Sequence, residues 1–305
     1  MHMTLYDVVI VGGGPAGLAA GIYTRRAKLS SLLLEKTVLG GQVATADLIE
    51  NYPGILEIKG HELSQKLQEQ AEKFGLEIRY AEVTGVRIES DNKIALASEG
   101  EYAGRSLIVT SGAEPARLNE KGENEFVGKG VSYCATCDGP FFSGKEVIVV
   151  GGGDSAVTEA IYLAKIASTV HVVHRRDRLR AEKVNEEKAK ANPKIDFIWN
   201  AVIEEIAGTK FVERVVLKDV ETGQKRDFKT DGVFIYAGRK PNTGFIDVDK
   251  DPVGYIRRND VCETSMKGVF AAGDCTSPLW KQIITAAGEG AKAAMSAQEY
   301  VESLQ

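Results

Sequence analysis

The chain has 305 residues, 43% of them hydrophobic, which suggests about two domains with real cores. With 38 Lys and Arg against 43 Asp and Glu, the formal charge is −5, which argues against non-specific nucleic-acid binding. No run approaches about 18 apolar residues, so no membrane span is expected; Met1-His2-Met3-Thr4 leads into a strand without a basic leader, and a reducing cytoplasm is the expected compartment.

Residues 6–11 read as a buried strand. Gly12-Gly13-Gly14-Pro15-Ala16-Gly17 follows, then a helical run over 18–27. This is G-x-G-x-x-G between a strand and a helix. Gly12 makes the tight turn, Gly14 lets a pyrophosphate approach, and Gly17 lets the helix pack on the strand. The next strand, 32–34, ends at Glu35, 23 residues past Gly12. A carboxylate there can accept both ribose hydroxyls and would repel a 2′-phosphate, so the site suits FAD or NAD rather than NADP. Gly40, Gly41 and Gln42 form a loop that permits close contact with a flat ring and offers an amide to its edge. Asn51-Tyr52-Pro53-Gly54 is either a second flavin contact or only a turn. Residues 61–74 carry a helical pattern, with Leu63, Leu67, Ala71 and Phe74 on one face and His61 at a solvated start. Short strands are expected at 77–80, 83–88, 94–97 and 106–109. Thr110-Ser111-Gly112-Ala113 then closes the unit, with Ala113 near the nucleotide.

Residues 114–130 are polar and punctuated by glycine, as suits a crossing into a second domain. Next comes Tyr133-Cys134-Ala135-Thr136-Cys137-Asp138-Gly139. Two cysteines spaced C-x-x-C can close a small disulfide ring or hold half of a metal site. In a redox pair one thiol attacks a partner and the other resolves the mixed disulfide. A metal would need two more ligands; Cys262 and Cys275 are 13 apart and not paired in this way, and four cysteines are too few for a disulfide scaffold. No metal is expected. The dithiol lies just before a strand at 145–150 and a second fingerprint, Gly151-Gly152-Gly153-Asp154-Ser155-Ala156, with Ala156 as the third small residue. A helix over 157–167 and a strand over 170–173 follow. That strand ends at His174, again 23 residues past the first glycine, so the chain contains an internal repeat of one nucleotide-binding unit. The second copy lacks the carboxylate. His174 takes its place, followed by Arg175, Arg176 and Arg180, whose guanidiniums suit a 2′-phosphate and hence NADP. His171 lies on the same strand and reads as a sheet residue.

A charged helix is expected over 181–190 and strands at 195–199, 202–206, 211–220 and 225–228. A buried strand at 233–236 ends at Ala237-Gly238-Arg239-Lys240-Pro241-Asn242, with Gly238 near the second nucleotide. Gly268 to Gly273 is strand then turn, and Asp274 can bond a ribityl or ribose hydroxyl. Lys281, Gln282 and Ile283 begin a helix whose N-terminus can face a flavin carbonyl. Cys275 reads as a packed small residue.

The set GGGPAG at 12–17, GGQ at 40–42, CATCDG at 134–139, GGGDSA at 151–156, HRRDRLR at 174–180 and AAGD at 271–274 resembles the low-molecular-weight thioredoxin reductases, in order and spacing over essentially the whole chain. The resemblance implies an α/β fold of two Rossmann-like, three-layer nucleotide-binding domains. A FAD domain, 1–114 and 244–305, is interrupted by an NADPH domain, 115–243, that carries the dithiol. It implies a homodimer and electron flow from NADPH through FAD and the Cys pair to thioredoxin. By the family's motif, Cys134 attacks thioredoxin, Cys137 faces the flavin, and Asp138 gives and takes the proton. Cys275-Thr276-Ser277-Pro278-Leu279-Trp280 departs from the family, where a more acidic stretch is common.

Overall fold

Val8–Val11 and Leu32–Leu34 are nearly inaccessible to solvent on both faces, as a parallel strand between two layers requires. A computed structural model describes residues 4–304 apart from Asp47, Ser90, Pro278 and Trp280. The expectations that touch Met1–Met3, Pro278 and Trp280 lie outside the described residues. The chain divides into a host unit, Met1–Glu114 with Lys240–Gln305, and an inserted unit, Pro115–Arg239.

In chain order, the first part of the host contains β1 (Leu5–Val11), α1 (Pro15–Arg26), β2 (Ser31–Glu35), α2 (Gly60–Lys73), β3 (Glu77–Tyr80), β4 (Val83–Glu89), β5 (Asn92–Ala97), β6 (Gly100–Val109) and β7 (Ala113–Pro115). The insert adds β8 (Val131–Ser132), α3 (Ala135–Asp138), β9 (Glu146–Val150), α4 (Asp154–Ala164), β10 (Thr169–Val173), α5 (Lys183–Lys190), β11 (Ile195–Ile198), β12 (Ala201–Gly208), β13 (Val212–Asp219), β14 (Lys225–Lys229) and β15 (Gly232–Ile235). β16 (Arg239–Pro241), β17 (Val269–Ala271) and α6 (Ile283–Glu302) follow.

The host sheet runs β3-β2-β1-β6-β5-β4, with β17 also on β6. β6 serves two partners on one edge. Gly100–Gly104 pairs antiparallel with β5, and Leu107–Val109 pairs parallel with β17. The sequence pattern resolves only the second half of β6. Its first half has Glu101 exposed and Tyr102 partly exposed, so polar residues hide the strand. Alternate residues face opposite layers. Val8, Ile10, Leu33, Ile108 and Phe270 pack under α1, α2 and α6, whereas Val9, Val11, Leu32, Leu107 and Val269 face Ala95, Ile246, Val248 and Ile256. α1 starts at Pro15, three residues before the expected run, because proline is well suited to the first turn of a helix.

The insert repeats the scheme. Its parallel sheet has the order β11-β10-β9-β15-β8. One face carries α4 and α5 over Val147, Val149, Val170 and Val172. The other is covered by the antiparallel β12-β13-β14 meander through Ile203, Ile206, Val215 and Leu217. In both sheets the order reverses beside the first strand, β1 or β9, which leaves a crevice at the carboxyl ends of the strands where ligands of such folds bind.

Close approach of α1 and α6 rests on Gly290. A Cβ built there would lie 2.0 Å from the Ala16 carbonyl oxygen, and backbone cannot rotate out of the way. Gly290→Ala should therefore force the two helices apart and lower stability by about 1–3 kcal/mol, as overpacking does. Chemical denaturation against the parent checks this; an unchanged midpoint would contradict the packing argument.

Candidate active site

In the host, the bend after β1 is fixed by backbone. Gly12 has φ +107°, and a side chain there would meet the Thr110 carbonyl oxygen at 2.3 Å. Gly17 approaches more closely still, with a Cβ position 1.9 Å from the Gly12 oxygen. Gly14, by contrast, has no neighbouring atom where its Cβ would be, and as the N-cap of α1 it offers no capping side chain. An uncapped helix start beside an open glycine fits a pyrophosphate, which can take the free N–H groups. Pro15 and Ala16 form the first turn of α1.

Glu35 is buried at the end of β2. One carboxylate oxygen accepts the Gly13 N–H at 2.7 Å and the other accepts the Thr37 N–H at 2.8 Å. The second oxygen also accepts the Thr37 hydroxyl at 3.2 Å, which leaves the first with a lone pair for a ribose hydroxyl while the group stays fixed in orientation. The Gly40 N–H donates to the Gly13 carbonyl at 2.8 Å, which ties the Gly40-Gly41-Gln42 loop to the fingerprint. Gly41 to Thr45 then makes a short 3-10 turn. Two predicted contacts far apart in sequence meet here: the Asn51 amide donates to the Gln282 Oε1 at 3.0 Å. Gln282 is the N-cap of α6, and its side chain forms a capping box with Thr285, so α6 starts two residues past the expected Lys281. Lys281 donates to the Tyr255 hydroxyl at 2.9 Å. Gly273 and Asp274 lie in a 3-10 turn after β17. Ala113 lies in β7, paired with β16, and Gly238 just precedes β16 with φ +138°.

The insert has a matching cradle. Gly151 takes φ +141°, Gly153 is open like Gly14, and α4 begins without a side-chain cap. Asp154 turns its carboxylate to the Glu182 N–H at 2.7 Å, and the Arg180 N–H donates to the Gly152 carbonyl at 2.6 Å. Ser155 and the buried Ala156 complete the first turn of α4. The loop bearing Arg175, Arg176 and Arg180 is thus fastened to the glycine turn, with all three arginines exposed. His174 is buried directly beneath Gly152, whose Cβ position lies 2.5 Å from the ring. Its Nε2 has no hydrogen-bond partner among the described residues. Burial, then the charges of Arg180, Arg176 and Arg175, push its pKa down.

Cys134 and Cys137 form a disulfide with Cα atoms 5.3 Å apart. Cys134 is the N-cap of α3, and its sulfur accepts the Cys137 N–H at 3.2 Å. Two residues the sequence pattern does not mark hold this turn. The Tyr236 hydroxyl accepts the Ala135 N–H at 2.9 Å. Ser132 accepts the Cys134 N–H at 3.0 Å and lies 2.6 Å from the Asp138 carboxylate. In the host, Glu289 similarly accepts the Gly273 N–H at 2.8 Å and pairs with Arg258. No spacing rule identifies these residues, because each belongs to an element remote from the motif or lacks a motif of its own. Among the described residues no cluster of His, Cys, Asp or Glu could hold a metal ion, and Cys262 and Cys275 are buried free thiols.

A family model described as pyridine nucleotide-disulphide oxidoreductase matches residues 6–290. The chain belongs to that family. Within the family, its relatives include a thioredoxin reductase of Bacillus subtilis (strain 168), 48% identical over 308 residues, covering 99% of this chain and 96% of the relative. The solved thioredoxin reductase of Lactococcus lactis superposes with a TM-score of 0.96 at 43% identity, covering 98% of this chain and 99% of that one. That of T. acidophilum gives 0.93 at 38% identity, covering 99% of both chains. The two Rossmann-like domains read from the sequence agree with these matches.

The buried His174 gives this family member an acid-sensitive element. Its folded-state pKa lies below the ordinary histidine value, so the unfolded chain binds the extra proton. Stability should be full above about pH 6.5 and fall as the pH drops through that value toward the lowered pKa. His174→Gln should flatten this acid-side slope in denaturation midpoints measured between pH 7.5 and 5.5; an unchanged slope would contradict it.

Proposed function

We propose that the chain is a thioredoxin-disulfide reductase. FAD binds in the host cradle around Gly14 and Glu35, NADPH binds in the cradle around Gly153 and the arginine loop, and the Cys134–Cys137 disulfide passes electrons to a thioredoxin. The observation that carries the reading is the disulfide itself, set at the start of α3 in the same compact unit as the second glycine cradle. Family membership supports the reaction class.

The bound flavin supplies two-electron chemistry between a nicotinamide and a disulfide. The chain's own residues set which nucleotide enters each cradle and where the protons go. Glu35 favours a ribose diol, whereas the arginines favour a 2′-phosphate. Opening the disulfide leaves two sulfurs that need protons, and Asp138, next to Cys137, is placed to carry one. Cys134, whose sulfur keeps the Cys137 amide as a donor, is the attacking thiol toward thioredoxin, and Cys137 is the one served by the flavin. Tyr23 on α1 and Met295 on α6 are each about half exposed on the host, apolar area that a homodimer would cover. Among the described residues no helix is long and apolar enough to cross a membrane.

Reduction by NADPH should expose two more alkylatable thiols than the oxidised protein has, read by mass after quenching. An identical count in both states would reject the redox role of the pair. NADPH should be preferred to NADH. Neutralising Arg175, Arg176 or Arg180 should raise KM for NADPH about 30-fold, from ~2 kcal/mol per charge-assisted phosphate contact, with little change for NADH. Equal KM values for both nucleotides in the parent would overturn this assignment.

A further inference from the structure

Ser132 ends β8 and is only 4% exposed. Its hydroxyl oxygen lies at the centre of three polar groups. It accepts the Cys134 N–H at 3.0 Å, and it stands 2.6 Å from Asp138 Oδ2 and 3.2 Å from the Cys134 carbonyl. A serine hydroxyl has one proton and two acceptor lone pairs. One lone pair is taken by the Cys134 N–H. The single proton can therefore point to the Asp138 carboxylate or to the Cys134 carbonyl, but not to both.

This gives two complete hydrogen-bonding states. With Asp138 ionised, Ser132 donates to Oδ2, and 2.6 Å is within the range of a hydrogen bond to a charged oxygen. With Asp138 protonated at Oδ2, the acid donates to the serine's second lone pair, and the serine proton rotates to the Cys134 carbonyl. That carbonyl already accepts the Asp138 N–H at 3.1 Å and has a second lone pair free. Rotating one C–O bond switches between the states without leaving a buried polar atom unpaired. An ordinary fixed donor, such as a backbone N–H, would satisfy only the ionised acid.

We propose that Ser132 is a positioning residue for proton transfer to the dithiol, a rotating partner that keeps Asp138 hydrogen-bonded in both protonation states. The proposal rests on the reading above that Asp138 carries the proton. In the step it serves, two electrons from the reduced flavin break the Cys134–Cys137 bond and leave two thiolates. The Asp138 acid then converts one thiolate to a thiol and becomes a carboxylate, and the Ser132 proton rotates from the Cys134 carbonyl back to Oδ2.

The test compares Ser132→Ala, Ser132→Thr, Asp138→Asn and the Ser132→Ala/Asp138→Asn double variant as flavin-loaded enzymes. Rapid mixing with NADPH, followed by quenched alkylation, gives the rate at which the disulfide opens; flavin bleaching in the same traces reports hydride arrival. Ser132→Ala should slow disulfide opening about tenfold, the loss expected for one hydrogen bond, with bleaching and the KM for thioredoxin unchanged. Ser132→Thr, which keeps the hydroxyl, should recover the rate. The double variant should be no slower than Asp138→Asn alone, because the serine acts only through the acid. If Asp138→Asn opens the disulfide at the parental rate, the underlying reading of Asp138 fails. If Asp138→Asn is slow but Ser132→Ala is not, or if the two effects multiply, the role given to Ser132 is wrong. Equal slowing by Ala and Thr would likewise reduce Ser132 to a packing residue.

Discussion

Both units depend on one steric constraint. A chain that leaves a buried strand and enters a helix within four residues has no room for side chains at the bend. At Gly12 the obstruction is the Thr110 carbonyl, and at Gly151 it is the Tyr236 carbonyl. In each case the obstructing residue follows a central parallel strand, β6 or β15, that pairs with the strand leading into the bend. The sheet therefore fixes the glycine, and the glycine in turn aims the helix. What remains open after this packing, at Gly14 and Gly153, is the space where phosphate can enter.

The two copies then diverge at a single equivalent position. Glu35 ties itself to the glycine turn with its carboxylate, through the Gly13 N–H. His174 lies against Gly152 with its ring instead, and the link to the turn passes to backbone, from the Arg180 N–H to the Gly152 carbonyl. The consequence is a loop whose side chains face outward as positive charge rather than inward as a carboxylate. The same scaffold thus presents opposite electrostatic faces, a carboxylate in one copy and guanidiniums in the other.

Much of this is legible in sequence because the relevant interactions are local or periodic. Twenty-three residues separate Gly12 from Glu35 and Gly151 from His174, since strand, turn and helix have fixed rises. The strands buried on both faces announce themselves as unbroken Val, Ile and Leu. The first half of β6 does not, because one side of it meets water. Contacts between remote positions leave no spacing to read: Asn51 meets Gln282 across 231 residues, and Glu289 reaches the Gly273 amide from inside a helix. The C-x-x-C motif identifies its two cysteines, but not that the sulfur of the first caps the helix containing the second, nor that Ser132 and Tyr236 support the turn.

The division of β6 between two partners bears on the order in which the protein is made. Its later half is completed only by β17, and the Ser106 hydroxyl reaches the Gly268 carbonyl across 162 residues. α1 likewise waits for α6, whose Gly290 arrives long after Ala16. A ribosome working from the N-terminus releases every residue of the inserted unit before either closure is possible. The insert can complete its own sheet from contiguous chain, whereas the host must hold an unfinished edge and an uncovered helix face for the whole interval. Loop-closure entropy rises slowly with length, so the delay costs little in final stability. It falls instead on folding rate and on exposure to wrong partners, which makes the host the half of the molecule whose assembly is most vulnerable during synthesis.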